Sequence, residues 1–236
     1  MKANFFFLLT FLISLFSLSG CTQGISGEGD YIQQSRDLQA FSEIDLSVPA
    51  KVTIRQGAAH KIEIRAQANV LEVIETTIGG KELTIGTKKN IRNHKEILIT
   101  ITLPKLEGFE VNGSGDVNSP DVFEGGNVEL EINGSGSFAG NFVSEQIKSE
   151  ISGSGNIRLK GSANEFIHET NGSGDMEAAD LRAKSVKVQI NGSGNTKVWS
   201  DEVLDTEING SGSVLYKGSP TKESKEVNGS GTVRKI

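Results

Sequence analysis

The octapeptide Glu131-Ile132-Asn133-Gly134-Ser135-Gly136-Ser137-Phe138 occurs in seven versions through the second half of the chain. Its Gly-Ser-Gly core begins at Gly113, Gly134, Gly153, Gly172, Gly192, Gly210 and Gly229, in steps of 21, 19, 19, 20, 18 and 19 residues. A near-constant period of this length marks a repeat architecture, in which units stack because none can bury its apolar face alone. The seven tripeptides hold fourteen of the 28 glycines, so the glycine is positional and does not describe a flexible linker.

Outward from the tripeptide the residues alternate. Val111, Ile132, Ile151, Thr170, Ile190, Ile208 and Val227 precede the turns, and Val128, Ile147, Phe166, Val186 and Leu204 stand four residues earlier in the middle copies. After the turns come Val117, Phe138, Ile157, Met176, Val214 and Val233, with Thr196 the exception. The opposite face carries Glu110, Glu131, Glu150, Glu169, Gln189, Glu207 and Glu226. A period of two with one apolar face is the pattern of a half-buried strand.

Two architectures fit. Asn-Gly between alternating runs is the strongest short hairpin signal, so turn chemistry alone admits an antiparallel meander. So long a meander would need a second layer to cover its apolar face, whereas a β-solenoid buries that face against the other walls of the same coil and is the expected fold. About 19 residues at roughly 3.3 Å each give a perimeter near 60 Å, suited to three walls. The glycine corners are read as structural, allowing unusual backbone angles and close approach of stacked turns. A phosphate cradle would require a helix after the glycines, and none follows. A calcium roll requires an acid at each turn, and only Asp116 and Asp175 supply one.

Residues 38–104 also alternate, as in Lys51-Val-Thr-Ile-Arg, Lys61-Ile-Glu-Ile-Arg and Ile97-Leu-Ile-Thr-Ile-Thr-Leu, and are expected as a strand-rich region continuous with the repeats of 105–236. Asn69 to Thr77 reads as strand or turn. At the N-terminus, Lys2 and the apolar run Phe5 to Leu18 form a secretory leader over residues 1–20. Leu18-Ser19-Gly20-Cys21 is similar to a bacterial lipobox, which predicts lipidation of Cys21, the chain's single cysteine, and membrane attachment through it. Thr22, rather than Asp, after the cysteine points to the outer membrane. Residues 21–37 are polar and are expected as a tether.

The chain of 236 residues carries a formal charge of −6, and removal of Lys2 with the leader brings the mature chain to about −7. With no basic cluster apparent, nucleic acid and anionic headgroups are not expected partners. His60, His94 and His168 lack ligand spacing, and no metal or other cofactor is expected.

The lipobox, the strand-rich lead-in near Phe41 and the repeated Asn-Gly-Ser-Gly turns together resemble the "putative auto-transporter adhesin, head GIN domain" family. That resemblance covers about residues 38–236. It implies a right-handed parallel β-helix of the pectin-lyase kind and a role in adhesion at the cell surface, and it supplies no catalytic residues.

Three functions remain in view. The first is a non-enzymatic, lipid-anchored binding or adhesion module, with Trp199 and Tyr216 as an aromatic platform for glycan and the glutamates Glu110, Glu131, Glu150, Glu169, Glu207 and Glu226 as a cation ladder or a solvated acidic face. The second is a polysaccharide-active enzyme, which would need a local acid and base that the uniform repeats do not single out. The third is a structural accessory of another envelope protein.

Overall fold

The computed structural model describes residues 24–236, so the leader, the lipobox and Cys21 lie outside the described residues. The fold is a right-handed parallel β-solenoid of about 7 turns. Its regular coils are single long strands of 16 to 19 residues that bend at corners: β11 (Asp116–Gly134), β12 (Ser137–Gly153), β13 (Asn156–Gly172), β14 (Asp175–Gly192) and β15 (Asn195–Gly210). Each pairs in parallel with the next, so equivalent residues of successive repeats lie above one another. The antiparallel hairpins that Asn-Gly could have made are absent from this region.

The reason lies in the turn. The first glycine of each triplet has φ between +116° and +144°, a region closed to residues with a Cβ. A Cβ at Gly172 would stand 2.3 Å from the carbonyl oxygen of Gly153 in the preceding coil. The Ser173 N–H donates to that same oxygen at 2.8 Å, so the ladder continues through the corner instead of closing a hairpin.

A coil has three walls. The first follows the turn (Asn156–Leu159 in one coil), a short second wall follows a corner at Gly161, and the third runs from Glu165 into the next turn. Differences in repeat length are absorbed mostly between the first and second walls, where the register shifts at Ser119/Val122, Arg158/Lys160 and Ala178/Arg182, and once between the second and third, at Ala183/Ser185. The end of the third wall, with its Glu, Asn and Gly positions, keeps strict register through every repeat.

Inside, the stack grades from aliphatic (Ile44, Leu46, Ile54, Ile99) through aromatic (Phe109, Phe123, Phe138, Phe142, Phe166) to partly polar (His168, Thr170, Thr196, Thr206). The N-terminal part supplies the first coils and a cap. β1 (Ile25–Ser26) and β2 (Tyr31–Asp37) come first; β3 (Glu43–Leu46) and β4 (Ala50–Gln56) form the coil on which β10 (Gly108–Gly113) and β11 stack. β5 (Lys61–Gln67), the four-residue α1 (Ala68–Leu71) and β6 (Ile74–Gly79) lead to β7 (Glu82–Thr87), β8 (Ile91–Arg92) and β9 (Ile97–Leu103). β7 and β9 extend the parallel stack beneath β3 and β4, after which β6 pairs antiparallel with β7 and β5 antiparallel with β9. β16 (Ser213–Gly218), β17 (Lys222–Gly229) and β18 (Thr232–Lys235) finish the other end.

Two expectations are corrected. Tyr31–Asp37 is not tether but a strand, paired antiparallel with β5 along its whole length. Its sequence looks unstructured because an edge strand with most residues exposed needs no apolar alternation. Asn69–Thr77 is part helix: α1 buries Val70 and Leu71 as a plug before β6 begins.

Candidate functional site

On the third wall, Asp45, Glu110, Glu131, Glu150, Glu169, Gln189, Glu207 and Glu226 form one axial column. At a rung spacing of about 4.8 Å, neighbouring carboxylates repel by about 0.9 kcal/mol even in water. The adjacent column offsets this. Asn133 Nδ2 donates to Glu131 at 2.8 Å and to Glu110 at 3.0 Å, while Asn171 and Asn209 donate to Glu169 and Glu207 at 2.9 and 2.8 Å. Asn191, Asn209 and Asn228 also donate to the asparagine one coil earlier, so an amide ladder runs beside the acids. The six glutamates read from the sequence are therefore brought into one line, interrupted by Gln189. Among the described residues, no three His, Cys, Asp or Glu side chains converge to hold a metal ion.

Trp199 and Tyr216 are not brought together, which corrects the shared platform. The local step is 18 residues, so the partner of Trp199 is Lys217 and the partner of Tyr216 is Val198. Alternation then sends the two rings to opposite faces. Tyr216 is 5% exposed and points inward, its hydroxyl donating to Glu223 at 3.1 Å. Trp199 stays outside and half-buried. The Arg182 guanidinium lies over its ring, 4.6 Å from the centroid, and its Nε1 donates to Asp201 at 2.7 Å.

Arg182 and Asp201 also line a groove of about 570 Å³ along the second wall, with Val143, Glu145, Asn164 and Lys184. The Asn164 amide donates to Glu145. The column that floors this groove is small throughout, with Ser144, Ala163, Ala183 and Ser200 buried between an exposed Gly125 and a half-buried Gly218. Sequence alignment on the glycine turns does not find this surface, because the register shifts lie between the turn and the second wall. Only the pairing of Arg182 with Trp199 across the shift reveals it.

The three histidines are far apart in role. His60 meets Phe41 edge-on at 5.3 Å, and His94 Nδ1 lies 2.8 Å from the Lys95 carbonyl oxygen. His168 is inside the solenoid, with Nδ1 2.9 Å from Ser149 Oγ and Nε2 2.8 Å from Thr170 Oγ1. Burial pushes its pKa down to about 3, so the ring is neutral in the folded chain.

Long in-register walls and amide and acid columns define a repeat protein that presents an extended surface. The chain belongs to the putative auto-transporter adhesin, head GIN domain family, whose model matches residues 40–220. A crystal structure of a putative adhesin from Bacteroides fragilis superposes with a TM-score of 0.87 at 28% identity, covering 90% of this chain and 100% of its own. A putative lipid binding protein from Parabacteroides distasonis gives a TM-score of 0.74 at 23% identity, over 91% and 100% of the two chains. A putative adhesin from the same species gives 0.73 at 21%, with the same coverage. The two Parabacteroides distasonis structures share the fold. A comparison with curated proteins finds no match.

Proposed function

We propose that the chain is a non-enzymatic binding module of the bacterial cell envelope, attached by lipid on Cys21, and that its second wall takes carbohydrate. Membership of an adhesin family supports surface association in general. The observation that carries the finer reading is Trp199: an outward indole, braced by Arg182 and Asp201 at the edge of a groove lined by amide, carboxylate and ammonium groups. An aromatic face stacks on the apolar face of a sugar while such polar groups meet its hydroxyls. The lipobox at residues 18–21 supports the anchor, and Thr22 supports the outer membrane.

The test is a glycan and matrix-protein array probed with the full detergent-extracted protein. Binding to a glycan that Trp199→Ala weakens at least tenfold, with unchanged melting temperature, is the expected result. Binding untouched by that substitution would overturn the second wall as the site. Release of new reducing ends from a bound glycan would overturn the non-enzymatic reading.

A further inference from the structure

The chain enters the fold at the N-terminal cap. Ile25 N–H donates to the Asn90 carbonyl oxygen at 2.8 Å, and β1 pairs with β8 through Ile25 with Ile91 and Ser26 with Arg92. Gly24 rests on the Arg92 side chain, where a Cβ would stand 3.0 Å from Nε. At Gly27 a Cβ would fall 2.1 Å from Gln67 Oε1 and 3.0 Å from His94 Cα, so the entering segment is clamped between residues 88–95 and the cap. Cys21 precedes Gly24 by three residues, a span of at most about 11 Å when fully extended.

The β7–β9 connection occupies the corner that Gly-Ser-Gly fills in later coils. It carries Lys88, Lys89, Arg92, His94 and Lys95, with no acid between Glu82 and Glu96. Lys88 is paired with Glu75 at 2.9 Å. Among the described residues, the exposed Lys89, Arg92 and Lys95 engage no carboxylate. The segment is fixed at both ends: Lys88 N–H donates to the Val73 carbonyl at 2.9 Å, and Lys95 N–H to Gln67 Oε1 at 2.8 Å. Lys95 Nζ and the Arg65 guanidinium stand 5.6 and 5.1 Å from the Tyr31 ring centroid. The opposing charges at this end include Glu28, Asp30 and Glu72, with Glu75 and Glu96 already paired to Lys88 and Lys51.

We infer that this basic corner is a docking surface for the phosphate-bearing headgroups of an anionic bilayer, so that the solenoid stands on the membrane by its N-terminal cap. The inference rests on the lipid anchor proposed above. A span of about 11 Å is close to the Debye length of roughly 8–10 Å, so a lipid on Cys21 would hold Lys89, Arg92 and Lys95 where headgroup charge is only partly screened. Acyl chains with an adjacent basic patch are a recurrent pair of membrane signals. The third wall then climbs nine rungs from β7 to β17. Eight steps of about 4.8 Å set the last coil roughly 38 Å from the first.

The test is amine footprinting of the full-length protein reconstituted in vesicles, with each lysine read by mass spectrometry. In vesicles of phosphatidylcholine containing one third phosphatidylglycerol, labelling of Lys89 and Lys95 falls several-fold relative to phosphatidylcholine alone and recovers in high salt. Lys222, Lys225 and Lys235 do not change. The Arg92→Gln variant narrows the difference between the two vesicle types. Equal labelling of Lys89 and Lys95 in both vesicle types, with an acylated N-terminal peptide in the same digest, overturns the docking and leaves the anchor. An unmodified Cys21 overturns the anchor and the docking with it.

Discussion

At its N-terminal end the solenoid is closed by chain: β5 and β6 turn antiparallel over the first coil, and Val70 and Leu71 of α1 fill the opening. At its C-terminal end it is closed by charge. The inward positions held by Leu204 and Thr206 in β15 become Glu223 and Lys225 in β17, whose residues are all exposed. Lys225 pairs with Glu223 and lies 4.7 Å from the Tyr216 ring centroid. The Lys225 hydrogen bond holds the Glu223 carboxyl below the usual range, and Glu223 in turn raises the Lys225 ammonium. A parallel stack leaves an unpaired edge at each end, open to any further strand. One end covers the parallel edge with antiparallel strands, so that the remaining edges belong to β2 and β6; the other makes the next coil unwelcome by offering charge where an apolar face would be needed.

The difference is broken most strongly at the plug. Val70 is fully buried, and Val70→Asp leaves a carboxylate without a partner, at a cost of about 4 kcal/mol or more in denaturant unfolding. A loss under about 1 kcal/mol would mean the cap is not part of the cooperative fold.

The corner glycines sharpen the comparison along the axis. At Gly113 a Cβ meets nothing within 4 Å, whereas at Gly172 it meets the Gly153 carbonyl oxygen at 2.3 Å. Gly113→Ala should therefore cost about 1–3 kcal/mol of backbone strain, and Gly172→Ala more, since the clash is added. Equal melting temperatures for the two variants would contradict stacking of the turns.

The polar interior toward the C-terminus makes a pH prediction that the aliphatic N-terminal interior does not. Folded His168 is neutral down to about pH 3, while the unfolded ring protonates near pH 6.5. The unfolded state therefore binds the extra proton between those values, and stability falls as pH drops, by up to about 1.4 kcal/mol per unit. His168→Leu flattens that slope in unfolding measured from pH 7 to pH 4; an unchanged slope places the titration elsewhere.

The smallest effect on stability is expected at the open end. Glu223→Val with Lys225→Val shifts the unfolding midpoint less than any substitution above, because both side chains are on a solvated edge. It should nevertheless produce concentration-dependent association in light scattering.

The period, the third-wall columns and the coil were legible because Gly-Ser-Gly fixes the phase at each turn, and everything within about eight residues before it inherits that phase. The second wall was not legible. Trp199 matches Lys217 only through an 18-residue step, and the residues that brace it lie beyond a register shift. The edge strand Tyr31–Asp37 was hidden by its polarity, since a strand with one paired edge and little burial has no apolar face to show. The basic corner at Lys88–Lys95 was hidden by the net charge of the whole chain, which averages over surfaces that a membrane would meet one at a time.

In-register parallel stacking is tested most directly by pulsed electron-spin distances from a label at Glu226 to labels at Glu150, Glu131 and Glu110, which lie four, five and six rungs away. Stacking predicts backbone separations of roughly 19, 24 and 29 Å, growing by about 4.8 Å per repeat. Distances that fail to rise in even steps, as folded-back antiparallel ribbons would give, contradict it.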